Sequence, residues 1–110
     1  MEVKTMNNIF DDFSHLYGIY SQITDSYELA WQIKDYAILL EFLYDKKRVV
    51  LGGDILNSEQ NHTYDNWYYN YDSDIPLWNN VENSIFVADN YLSNYIKNYG
   101  ENFYVIFVVR

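Results

Sequence analysis

The chain has 110 residues, seven Lys plus Arg against sixteen Asp plus Glu for a formal net charge of -9, and no cysteine. That length suits one domain, residues 1–110, and an acidic balance this strong repels nucleic acid and anionic membranes. Without cysteine there is no disulfide framework, zinc–thiolate site or thiol nucleophile, and the opening residues Met1 to Asn8 lack the basic region and apolar run of a secretory signal, so a cytoplasmic location is expected.

Within the first segment, 1–22, Ile9, Phe10, Phe13, Leu16, Tyr17 and Tyr20 recur at helical spacing and predict a short amphipathic helix ending near Gly18. A longer helix is expected from Asp25 to about Asp45. Thr24, Asp25 or Ser26 would supply its N-cap, and Glu28 its acidic first turn. Its stripe is Leu29, Ile33, Tyr36, Ala37, Leu40, Leu43 and Tyr44, with Trp31, Ile38 and Phe42 flanking, and Lys46, Lys47 and Arg48 follow with the charge that suits a helix C-terminus.

Residues 48–56 read as a strand, β-branched at first and interrupted by Gly52 and Gly53. Residues 57–63 are polar and loop-like, and 64–71 alternate as a second strand, so the two should pair as an antiparallel hairpin. Asp72 to Pro76 signals helix entry, with Ser73 or Asp74 as cap and Pro76 at an early helical position. Trp78, Val81, Ile85, Ala88, Leu92, Tyr95, Ile96 and Tyr99 then draw a long apolar stripe that stops at Gly100. The run Phe103 to Val109 predicts an interior strand covered on both faces or nearly so. The resulting fold class is α+β: a small, mainly antiparallel sheet of about three or more strands with two main helices packed on it.

Two short motifs stand out. In Gly52-Gly53-Asp54 the glycines mark a bulge or a close approach of another backbone, and the Asp54 carboxylate either projects toward a partner or bonds local amides. In Asp65-Asn66-Trp67, alternation puts Asp65, Trp67 and Tyr69 on one face and Asn66, Tyr68 and Asn70 on the other. With the Trp67 ring turned inward, Asn66, Tyr68 and Asn70 become a polar, aromatic stripe at the surface.

Other chemistries lack their patterns. There is no calcium loop, His15 and His62 are isolated, and neither a nucleophile elbow nor a His–carboxylate pair at interpretable spacing is present. No enzymatic activity, cofactor, metal or small-molecule substrate is expected. Aromatic residues make up 20% of the chain, thirteen of them Tyr, a composition enriched at interfaces and equally at the rims of ordinary cores. Between Arg48 and Lys97 there is no Lys or Arg, whereas Asp54, Glu59, Asp65, Asp72, Asp74, Glu82 and Asp89 all fall inside. Such a stretch attracts a basic partner and speeds encounter with it.

A strand ending in Gly-Gly-Asp followed by an Asn-Trp-Tyr strand resembles the immunity protein 40 family, small bacterial proteins encoded beside polymorphic toxins. The resemblance covers roughly residues 25–110. It implies a toxin-neutralising immunity protein, of a contact-dependent or other polymorphic toxin system, that binds its cognate toxin domain and blocks the active site or a required surface. The acidity adds that the toxin is basic, as a nuclease that holds phosphate must be. The partner-binding residues expected on this reading are Asp54, Asp65, Asn66, Tyr68, Asn70, Asp72, Asp74 and Glu82, with Gly52, Gly53 and Trp67 structural. A reversal such as Asp72→Lys should slow binding more than it destabilises the fold. The competing reading is an acidic nucleic-acid mimic or regulatory module that binds a basic protein unrelated to toxins.

Overall fold

The computed structural model describes residues 9, 10 and 13–110. The part of the expected N-terminal helical segment on residues 1–8, 11 and 12 lies outside them. The elements are α1 (Phe13–Tyr17), β1 (Gln22–Ile23), β2 (Leu29–Gln32), α2 (Tyr36–Asp45, entered through a 3-10 turn at Ile33–Asp35), β3 (Val50–Asn57), β4 (His62–Tyr68), α3 (Leu77–Tyr99) and β5 (Phe103–Val109). Five antiparallel strands run in the order β1-β2-β5-β3-β4, and the helices pack on one face of the sheet, so the fold is α+β.

Residues paired across strands share a face. One row holds Trp31, Val105 and Ile55, and the next holds Phe107, Gly53 and Trp67. Both rows face the helices. They meet Leu39, Leu40, Phe42 and Leu43 of α2 and Ala88, Leu92 and Tyr95 of α3, all buried in one cluster with Phe10 and Phe13. Full burial of each large side chain here is worth roughly 1.5–3 kcal/mol. Ser84 ties α3 to the sheet directly: its Oγ accepts the Val50 amide at 2.9 Å and donates to the Val81 carbonyl at 3.0 Å.

The opposite face carries a smaller buried cluster of Ala30, Leu56 and Ile106, with Tyr104 packed on it. The turns at 24–28 and 58–62 stand around Leu56 and Ile106, and Gln60 Nε2 donates to Gln22 Oε1 to join the two hairpins. Central β5 is therefore covered on both faces at Val105 and Ile106, as its continuous apolar run requires, while Val108 near its end is exposed.

The first expected helix is present as α1, closed at Gly18, whose φ of 68° lies in the left-handed region that glycine tolerates. The helix expected over 25–45 begins eleven residues later, at Tyr36, because residues 25–35 form the turn after β1, the strand β2 and the 3-10 turn. Thr24 Oγ1 does accept the Glu28 amide at 3.1 Å. That bond closes a turn in which Thr24 and Glu28 also pair through their backbones, and Tyr27 takes φ 61°. Ala30 and Trp31 are both buried, on opposite faces of β2, so the two-residue alternation that marks a strand is absent. In α2 the buried side is Leu39, Leu40, Phe42 and Leu43, and Ala37 and Ile38 are exposed. β4 ends at Tyr68, three residues short of expectation. Pro76 sits at the N-cap position of α3, where neither Ser73 nor Asp74 caps and no side chain accepts.

Candidate functional site

The two opening motifs form one packing unit. Trp67 lies opposite Gly53 and spans it to reach Phe107 on β5, with ring centroids 6.1 Å apart at 83°. Gly53 leaves the floor open for that indole: a Cβ there would lie 2.5 Å from Trp67 Cη2 and 2.4 Å from the Ile106 carbonyl oxygen. At Gly52, φ is 153° and a Cβ would lie 2.3 Å from the Trp67 carbonyl oxygen.

The expected alternation along β4 also holds. On the helix side, Asp65 Oδ2 accepts the Tyr95 hydroxyl at 2.8 Å, Trp67 stacks on Tyr91 at 5.1 Å, and the Tyr69 hydroxyl donates to Asn80 Oδ1 at 2.7 Å. The three contacts run in order down α3. On the other side Asn66 lies in the row of Asp54 and Ile106, and exposed Tyr68 in the row of Gly52 and Val108. Asn70 is exposed beyond the end of the strand.

The remaining expected contact residues fall elsewhere. Asp72 and Asp74 lie in the connection to α3, where Asp72 Oδ1 accepts the Asp74 amide at 2.9 Å. Asn80, fully buried, grips that connection: its Oδ1 accepts the Asp72 amide and its Nδ2 donates to the Asp72 carbonyl, both at 2.9 Å. Glu82 lines a groove between α2 and α3, of about 390 Å³, together with Glu41, Asp89, Ile85 and Phe86. The eight residues therefore occupy separate surfaces: the open sheet face, the β4–α3 side, the entry to α3, and the α2–α3 groove.

A cleft of about 480 Å³ lies between β4 and α3. Asp65 lines it from β4. From α3 come Tyr91, Tyr95 and Tyr99, whose rings follow one another at 6.0 and 4.8 Å, and beside them Asn90, Asn94 and Asn98. Burial pushes the Tyr95 hydroxyl up to about 12, with its hydrogen bond to Asp65 acting the same way and Thr63 opposing it. Tyr91 is raised as well, by burial first and then by the charge of Asp65. Both phenols are neutral near pH 7, and among the described residues no Lys, Arg or His lines the cleft beside the Asp65 carboxylate.

Of these residues only Asp65 is among the contacts expected from sequence. Tyr95 and Tyr99 read there as parts of an apolar stripe, and Tyr91 and the asparagines went unmarked. The pattern that locates the cleft is the dipeptide Asn-Tyr repeated every four residues at 90–91, 94–95 and 98–99. Spacing of four keeps both residue types on one side of a helix.

The family model for immunity protein 40 matches residues 16–109. The chain belongs to the immunity protein 40 family. The match begins within α1 and takes in the β1–β2 hairpin, so it reaches further toward the N-terminus than the two motifs alone suggest. Neither the curated proteins nor the solved structures contain a match to the chain. Membership in an immunity family implies a toxin partner for this immunity protein. Among the described residues, no helix is long and apolar enough to cross a membrane, and no group of three or more His, Cys, Asp or Glu is placed to hold a metal ion.

Proposed function

We propose that this immunity protein neutralises a basic toxin domain, as a nuclease would be, by covering its active site or a surface the toxin needs. The observation that carries the proposal is the distribution of charge. From Val49 to Ile96 there is no cation, and the acids of that stretch reach solvent along β4, the connection to α3, and α3 itself. Four of the seven Lys and Arg lie close to one end of that stretch or pack beside it. Lys46, Lys47 and Arg48 are contiguous, Arg48 Nε donates to the Arg110 carbonyl at 2.9 Å, and the Arg110 guanidinium stacks on Tyr71 at 3.8 Å. A surplus of exposed carboxylates of this kind favours the approach of a basic surface.

Co-expression with the toxin encoded by the neighbouring gene tests the proposal. Growth should be rescued and the two proteins should co-purify. No rescue and no complex would overturn it, and capture of a basic protein unrelated to toxins in place of that toxin would favour the regulatory reading.

A further inference from the structure

The ladder along α3 is not explained by the helix itself. Asn and Tyr are both poorer helix formers than Ala, Leu or Lys, yet three Asn-Tyr pairs occupy one side of the last three turns. Tyr95 is buried against the sheet, but Tyr99 is 65% exposed, and all three asparagines are exposed. What the pairs build is the wall of the cleft whose other side is Asp65.

We infer that this cleft is a slot for an arginine side chain of the basic partner, an inference that rests on the toxin-binding reading and deepens it. Asp65 is the ionic end of the slot. Its Oδ2 is held by the Tyr95 hydroxyl at 2.8 Å, and among the described residues its Oδ1 accepts no hydrogen bond. A carboxylate fixed by a neutral donor, with no cation among the residues lining its cleft, attracts one from outside. Tyr91 is stacked between Trp67 and Tyr95, and Tyr95 is buried, so the ring face open to a cation–π contact is that of Tyr99, at the end of the ladder. Guanidinium suits the slot better than ammonium: it is planar, it stacks on aromatic faces, and its five N–H donors match a carboxylate and the Asn side-chain carbonyls together.

The test uses the purified full chain and three probes: Nα-acetyl-arginine methylamide, its lysine counterpart, and its citrulline counterpart, which keeps the shape and loses the charge. The side-chain amide NMR signals of Asn90, Asn94 and Asn98 should shift saturably with the arginine probe, more weakly with lysine, and not with citrulline. Asp65→Asn should weaken arginine binding about tenfold, as loss of a charged hydrogen-bond partner does. Tyr99→Ala should weaken it severalfold while leaving the unfolding midpoint unchanged. Equal shifts with citrulline, or wild-type arginine binding by a folded Asp65→Asn protein, would overturn the slot, and equal binding of lysine would overturn its choice of guanidinium. Arginine binding without any toxin complex would leave the slot standing and remove the toxin reading. A toxin complex indifferent to Asp65→Asn would do the reverse.

Discussion

A methyl group added at Gly53 would meet the Ile106 carbonyl oxygen at 2.4 Å and Trp67 Cζ3 at 2.7 Å, distances that real Cβ atoms do not show. The indole and the backbone of β5 approach from opposite sides, so neither can withdraw without disturbing the sheet. Gly53→Ala should therefore destabilise by about 2–3 kcal/mol, the scale of overpacking a tight core, read as a lower urea midpoint with an unchanged slope. In a Trp67→Leu background the cost should shrink but persist, because the Ile106 oxygen remains; a full cost there would show that the indole is not the obstacle. Tyr95 makes a second prediction at this scale. Burial, and then the bond to Asp65, raise its pKa to about 12, so the folded state holds the phenolic proton more tightly than the unfolded chain with its ordinary value of 10.0. That stabilisation is complete below pH 10 and is lost as pH rises toward 12. Alkaline unfolding titrations should show the decline, and Tyr95→Phe should flatten it.

At the scale of elements, the entry to α3 depends on one buried amide. Asn80 makes both the donor and the acceptor bond to the backbone of Asp72 and also accepts the Tyr69 hydroxyl. Asn80→Ala would leave these groups unpaired, at a cost of about 2–3 kcal/mol, and hydrogen exchange of the Asp72 amide should quicken before that of β3 or β5. Retained protection of Asp72 in the variant would contradict this role. The same region shows what the sequence could and could not convey. The hairpin β3–β4, the long helix α3, the interior strand β5 and the fold class were readable, because hydrophobic period, glycine placement and chain order all agree there. The hairpin β1–β2 was not: Leu29, Ile33 and Tyr36 fit a helical period by coincidence, and β2 is buried on both faces, which erases alternation. Asn80 and Ser84 were missed because polar residues on an apolar stripe resemble interruptions of it, and only the packed structure shows them bonded across to other elements. The sequence offered Asp65 as a candidate because it stands beside Trp67. The cleft it shares with the Asn-Tyr ladder needed the pairing of β4 with α3, which no local pattern encodes.

For the whole molecule the decisive property is where the charge lies, since steering depends on the field of all exposed carboxylates and contact depends on a few. Two reversals separate these effects. Glu82 lies in the α2–α3 groove and exposed Asp74 at the entry to α3. Either Glu82→Lys or Asp74→Lys should slow association with the toxin severalfold at low ionic strength. Both effects should fade as salt shortens the screening length to about 3 Å near 1 M. Asp72→Lys is the poorer probe, because its carboxylate also accepts the Asp74 amide, so the fold itself would bear part of the change. Only a reversal inside the interface should also raise the dissociation rate, and that increase should survive high salt, because a desolvated pair is weakly screened. Measuring both rates for each variant therefore locates the bound surface. If Asp65→Asn raises dissociation while Glu82→Lys alters association alone, the toxin sits on the β4–α3 side. The opposite pattern places it in the α2–α3 groove. An association rate indifferent to salt for every variant would remove electrostatic steering from the account and leave shape complementarity to carry recognition.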